Sequence, residues 1–196
     1  MYSTTTDSSE VLLSNTNIPY EVMTIENIYT DEEIGFFINQ IENRSDKERL
    51  FSDNRFKNGK VIDDKHSQMI FDRIRSHLPP NYQDREGNEW EFVKGCGYIF
   101  YSKFEEGEQF GIHTDTGSTY DEDNKMYSKF TVLTYLYDDF IGGNTQFFDS
   151  KLIPTISIIP KKNKTLLFDI DLFHKGEMII QGVKYWIGTE IVCKRG

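Results

Sequence analysis

Residues 104–115, FEEGEQFGIHTD, and residues 173–184, FHKGEMIIQGVK, are the two stretches whose reading decides the rest of the chain. In the first, a single residue separates His113 from Asp115. Side chains alternate faces along an extended strand, so both would point the same way and one strand end would offer two metal ligands. The second stretch puts His174 at the head of an apolar, strand-like run ending near Ile180, and Lys184 at the start of the next, KYWIGTEIV. Gln181 and Gly182 between them read as a tight turn, which predicts that the two runs form a hairpin.

His-x-Asp alone is a weak signal in an acidic chain, and a third ligand has to come from His66, His77 or His174. Two neutral imidazoles and one carboxylate leave coordination positions open, which suits a non-haem iron(II) oxygenase. Lys184 alternates in phase with Trp186, which suggests an ammonium on a largely apolar face. Burying that charge is costly without an anion, so a carboxylate-bearing ligand is one physical reason for it. A lysine that snorkels to solvent from a strand end is the other.

Taken together, His113-x-Asp115, His174, and Lys184 ten positions later resemble the 2-oxoglutarate- and Fe(II)-dependent dioxygenases, specifically the prolyl 4-hydroxylase-like branch. The resemblance extends through residues 131–148, TVLTYLYDDFIGGNTQFF, similar to that branch's threonine, tyrosine-leucine and Gly-Gly-x-Thr-x-Phe stretch. It continues in residues 160–168, PKKNKTLLF, which look like the proline, turn and apolar strand that lead to the distal histidine, and spans roughly residues 92–193. It implies that His113, Asp115 and His174 hold Fe(II) as the catalytic centre and that Lys184 pairs with the distal carboxylate of 2-oxoglutarate. O2 is the implied second co-substrate and ascorbate an accessory. Tyr135, at the tyrosine-leucine position, is expected near the co-substrate, with Tyr101, Thr145 or Thr131 as companions. Arg55, Tyr98, Tyr120 and Trp186 are expected to face the substrate.

The activity implied is hydroxylation of an unactivated C–H bond, and Asp115 as a carboxylate ligand favours hydroxylation over halogenation. A prolyl residue of a protein or peptide is the first expectation, and a free amino acid or other small molecule the second. A non-catalytic metal-binding jelly roll is the competing class; it would need neither Lys184 nor the Gly142-Gly143-Asn144-Thr145 stretch. There are departures from the family pattern. Phe104 and Phe110 stand where tyrosines are frequent, so a phenol for the co-substrate has to come from elsewhere. Asn163 replaces the turn glycine, a mild change because asparagine tolerates left-handed backbone angles.

At 196 residues the chain has room for one well-cored domain and little more. We expect a loose tail at 1–18 and a single domain over 19–196, with helical support at 30–80 and a jelly-roll core at 90–193. A net charge of −10 argues against a nucleic-acid partner, which would want a basic patch. Cys96 and Cys193 make no disulfide framework and read as reduced core thiols. The amino terminus shows neither a basic start nor an apolar run of membrane length, so the expectation is a cytoplasmic protein with no membrane partner. Oligomeric state is left open.

Along the chain, residues 20–28 suggest a first strand. Thr30-Asp-Glu-Glu33 is a capping box opening a helix to about Asn43, with Ile34, Phe37, Ile38 and Ile41 on one face. The charged stretch 44–64 is irregular, anchored by Phe51, Phe56 and Val61, and a second helix is expected over 66–77, closed by Leu78-Pro79-Pro80. From Trp90 onward short apolar runs alternate with turns, predicting strands near 90–94, 96–104, 108–113, 127–137, 144–148, 155–159, 164–169, 173–180 and 183–193. This pattern is mainly β with N-terminal helices, a double-stranded β-helix or jelly roll. Residues 116–126 break the rhythm and read equally well as a substrate lid or a plain surface loop.

Overall fold

Side-chain caps start the two α-helices found among the described residues. The structure, a computed structural model, describes residues 22–43, 57–84 and 86–196; the expected tail, Arg55, Phe51 and Phe56 lie outside the described residues. Helix α1 (Asp31–Glu42) starts as the capping box predicts, with the Thr30 hydroxyl accepting from the Glu33 N–H and the Glu33 carboxylate accepting from the Thr30 N–H. Glu33 also takes both terminal nitrogens of Arg73 at 2.8 Å, and those hydrogen bonds hold its pKa down at about 2. Arg73 belongs to α2 (Asp64–Ile74), so one side chain caps the first helix and ties it to the second. Asp63 caps α2 by accepting from the His66 N–H, and a 3-10 turn at Arg75–His77 finishes the segment that the sequence predicts as one helix.

The described residues form fifteen strands: β1 (Met23–Glu26), β2 (Lys57–Ile62), β3 (Asn81–Gln83), β4 (Glu89–Gly95), β5 (Tyr98–Phe104), β6 (Phe110–His113), β7 (Tyr120–Asp121), β8 (Met126–Tyr135), β9 (Ile141–Gly142), β10 (Thr145–Phe148), β11 (Pro154–Ile158), β12 (Lys164–Asp169), β13 (His174–Gly176), β14 (Ile179–Gln181) and β15 (Lys184–Arg195). The larger sheet runs β1-β12-β8-β15-β4-β3, with β5 also on β15, β2 outside β5, and β7 on β8. The smaller runs β11-β10-β13-β6, and β9 pairs with β14. Every pairing is antiparallel, and the curled sheets form the expected jelly roll. Among the described residues no helix is long and apolar enough to cross a membrane.

Alternation divides the core in two. Ile99, Tyr101, Val132, Phe130, Ile187 and Ile191 turn to the helix side and pack with Ile34, Ile41, Ile70 and Ile74. Tyr135, Leu166, Phe168 and Phe147 fill the space between the sheets, with Leu133 and Trp186 against them.

Two expectations change. The runs on either side of Gly182 do not form a hairpin: β14 pairs with β9, whereas β15 pairs with β5, β8 and β4. Gly182 does make the turn, at φ 88°, but the chain changes sheet there. Residues 116–126 are held by hydrogen bonds rather than left as an open loop. Thr119 exchanges bonds with Ser128, and Tyr120–Asp121 pairs with Met126 and Tyr127 as a short hairpin.

Asn163 has the left-handed backbone expected of it, at φ 63°. Its side chain does more than a glycine could. The amide accepts from the Tyr29 N–H (3.1 Å) and donates to the Tyr29 carbonyl (2.6 Å), fixing the entry to α1 against the β12 turn.

Candidate active site

His113 ends β6 and His174 begins β13, and the two are direct register partners across the smaller sheet. Asp115 lies two residues past His113, where its N–H donates to the Ile170 carbonyl at 2.9 Å. One ligand atom from each of the three residues can be chosen so that all lie within 4.8 Å of one another. Asp115 Oδ1 is 3.5 Å from His113 Nε2 and 3.8 Å from His174 Nε2.

The orientation of the imidazoles is set by the backbone. His113 Nδ1 lies 2.8 Å from the Gly111 carbonyl and His174 Nδ1 2.9 Å from the Leu172 carbonyl. Each Nδ1 therefore carries the proton, and each Nε2 lone pair faces the common centre. The Thr131 hydroxyl donates to Asp115 Oδ2 at 2.6 Å, leaving Oδ1 for the centre. Burial alone would raise the Asp115 carboxyl, but the neighbouring His113 and His174 imidazoles and the Thr131 hydroxyl together hold it below the usual carboxylate range. Burial lowers His174. Both shifts favour the unprotonated ligands that a metal requires.

Further support lies behind the triad, in the turn that follows β12. Lys129 is the extra residue of a bulge in β8, and its ammonium reaches Asp169 (3.1 Å) and Asp171 (2.9 Å). Its carbonyl accepts from the Ile170 N–H. The clamped turn is the one whose Ile170 and Leu172 carbonyls hold Asp115 and His174.

The triad opens into a cavity of about 540 Å³ between the sheets. Lys184, first residue of β15, is 4 % exposed and lies in its wall. Its ammonium donates to the Gly143 carbonyl at 2.5 Å, a carbonyl turned by a glycine at φ 69°. Burial pulls its pKa down to about 7. Tyr135 is fully buried beneath it, with the ammonium 5.1 Å from the ring centroid, and the phenol lies 2.6 Å from the Thr145 hydroxyl. Burial raises the phenol well above its ordinary range.

The structure thus brings His113, Asp115, His174, Lys184, Thr145 and Trp186 together around one space, with Tyr135 behind the wall and bonded to Thr145. Tyr101 also contributes to the cavity wall, with its ring over Gly59, where a Cβ would sit 1.8 Å from the hydroxyl. Tyr98 is not in the cavity wall because the Lys60 ammonium covers its ring at 3.7 Å. Tyr120 is 67 % exposed on β7, edge-on to Tyr127, and also outside the wall. Thr131 serves the aspartate rather than the far end of the cavity. The sequence reading missed Glu190, which lines the cavity and lies in phase with Lys184 and Trp186 along β15. That phase was its one available signal.

Residues 96–189 match the 2OG-Fe(II) oxygenase superfamily. No curated protein matches the chain in sequence. Among solved structures it is similar to a viral collagen prolyl hydroxylase from Paramecium Bursaria Chlorella virus-1 in its 2OG complex, at 18% identity and a TM-score of 0.57, covering 91% of this chain and 97% of that one. A Pseudomonas putida prolyl-4-hydroxylase gives 12% identity and 0.58, covering 89% and 93%. A Trichoplax adhaerens prolyl hydroxylase in complex with a hypoxia inducible factor oxygen degradation domain peptide fragment gives 16% and 0.58, covering 87% and 82%. At these identities the structural likeness speaks for the fold, while the sequence match covers the stretch that holds the triad: residues 96–189 are a 2OG-Fe(II) oxygenase superfamily segment.

Proposed function

We propose that the protein hydroxylates an unactivated C–H bond of a peptidyl substrate, with a prolyl residue as the first expectation. The observation that carries this reading is the placement of a buried, cation-forming Lys184 in the same cavity as a His-Asp-His triad. A non-catalytic metal module has no use for that lysine. The donor set fits iron(II): two imidazole Nε2 atoms and one carboxylate oxygen converge and leave coordination positions open. Bound iron(II), with 2-oxoglutarate and O2, supplies the oxidation, releasing succinate and carbon dioxide as the substrate gains a hydroxyl.

This chain's residues do the holding. His113, Asp115 and His174 anchor the metal, and Thr131 keeps the aspartate turned toward it. The Lys184 ammonium pairs with the distal carboxylate of the co-substrate, and the Thr145 hydroxyl, backed by the Tyr135 phenol, offers it a hydrogen bond. Phe100, Leu133, Phe168 and Trp186 line the wall with apolar surface that excludes water, which strengthens each of these charge contacts. The structural likeness to prolyl hydroxylases, one of them bound to a peptide, supports a peptidyl substrate. Ascorbate as the reductant that restores iron(II), and a reducing cytoplasmic setting consistent with free Cys96 and Cys193, complete the reading.

The experiment is succinate release from 2-oxoglutarate by protein loaded with Fe(II) under argon and then exposed to oxygen, with and without prolyl peptides, free proline and other amino acids. Peptide-stimulated succinate accompanied by a 16-dalton gain on the peptide is expected. Failure to bind 2-oxoglutarate would refute the reading, and stimulation by free amino acids alone would replace the peptide with a small molecule.

A further inference from the structure

Glu190 is a charged group that the metal and co-substrate leave unused. It is 4 % exposed and contributes to the cavity wall. The register Glu190↔Thr131 places it directly across from the residue whose hydroxyl touches Asp115. It therefore stands beside the metal centre on the same strand face as Lys184, at the opposite end of a line that passes through Trp186 and Gly188.

The hydrogen bonds of its carboxylate are one-sided. Ser118 gives Oε2 both its N–H (2.7 Å) and its hydroxyl (2.5 Å), while Oε1 accepts none. Among the described residues no buried side-chain oxygen lacks a partner, so Oε1 is not sealed in the core and opens onto the cavity. No lysine, arginine or histidine of the described residues forms an ion pair with it. Lys60, on the neighbouring strands, lies over the Tyr98 ring, and Lys184 is bonded to the Gly143 carbonyl. A carboxylate this buried is costly unless a cation or further donors meet it.

We infer that Glu190 is a specificity residue that receives a cationic group of the primary substrate, an ammonium or guanidinium, beside the carbon to be hydroxylated. This rests on the reading of the cavity as an oxygenase site and extends it to the substrate end. Of the other charges in the wall, Glu177 pairs with Lys175, which leaves Lys184 for the carboxylate of the co-substrate and Glu190 for a cation on the substrate. The net charge of −10 gives the molecule a field that draws cations toward it. A basic side chain next to the target residue of a peptide and the ammonium of a free amino acid share this chemistry.

The test is equilibrium binding to full-length protein loaded with Mn(II) and 2-oxoglutarate under argon. The probes are a prolyl-arginyl peptide, the same peptide with citrulline for arginine, free arginine and free citrulline. Either the arginine peptide should bind tenfold or more tightly than its citrulline counterpart, or both free amino acids should bind tenfold or more tightly than either peptide. Preference in the peptide pair identifies a side chain as the source of the cation, and tighter binding of both free amino acids than of either peptide identifies an α-ammonium.

Glu190→Gln keeps a carbonyl oxygen for Ser118 but removes the charge. It should abolish the discrimination while leaving 2-oxoglutarate affinity and metal content unchanged. No tighter binding of cationic than neutral probes and no preference for free amino acids in the wild type, or a preference that survives Glu190→Gln, would overturn the inference. Failure of 2-oxoglutarate to bind is separately visible in the same titration and refutes the underlying reading instead.

Discussion

Replacing Lys184 with methionine tests the co-substrate end of the cavity through both affinity and pH. In the free protein burial holds the lysine near a pKa of about 7. A carboxylate guest stabilises the protonated form and raises that value, so binding takes up a proton and affinity is lost as pH rises through about 7. Between pH 6.5 and 8.5 the protonated fraction of the free protein falls from roughly three-quarters to about 3%, so 2-oxoglutarate should bind roughly 25-fold more weakly at the upper pH. Truncating one partner of a buried charge pair costs about 2–5 kcal/mol, of which the lower end alone is roughly 30-fold in affinity. Lys184→Met should therefore weaken binding by about 30-fold or more at pH 6.5 and flatten the pH dependence. Calorimetric titration of 2-oxoglutarate into Mn(II)-loaded protein, in buffers of different ionisation enthalpy, reads affinity and proton uptake together. Unchanged affinity and slope in the variant, or loss of metal instead of co-substrate, would refute the reasoning.

Thr131→Val removes the hydroxyl that orients Asp115 and should lower metal affinity about tenfold or more in a Mn(II) titration, while Thr131→Ser should retain it. Lys129→Met leaves Asp169, fully buried, without its cation and should cost about 3 kcal/mol in denaturant unfolding; a companion Asp169→Leu change should restore part of that loss. Asn163→Gly keeps the left-handed turn but drops both bonds to Tyr29. It should destabilise the protein by about 1–2 kcal/mol, lowering Tm by roughly 3–6 °C in a thermal scan.

The parts legible in the sequence were those fixed by local spacing. His113 and Asp115 two apart, the Thr30–Glu33 capping box and the run of short apolar segments each follow from one periodicity, and the structure places them where that periodicity predicts. Strand pairing was not legible to the same degree. Gly182 shows where the chain bends, but which strands β14 and β15 choose depends on partners roughly forty to a hundred residues away. Alternation separates Phe100 from Tyr101, yet both contribute to the cavity wall, and nothing local in the sequence says so. Glu190 shares its phase with Lys184, but its burial and its bonds to Ser118, a residue distant in sequence, are tertiary. Asn163 was legible in its backbone angle and hidden in its side-chain role, because Tyr29 lies on a separate element.

The most direct test of the whole account is visible absorption of protein mixed with Fe(II) and 2-oxoglutarate under argon, where chelation of the iron by the co-substrate gives a charge-transfer band. The wild type should develop the band at one equivalent of each. His174→Ala and Asp115→Ala should fail to develop it at that stoichiometry, whereas Lys184→Met should develop it only at much higher 2-oxoglutarate. A wild type that stays colourless with both components in excess, or a band indifferent to loss of His174, would contradict the assignment of these residues as an iron(II) and 2-oxoglutarate site.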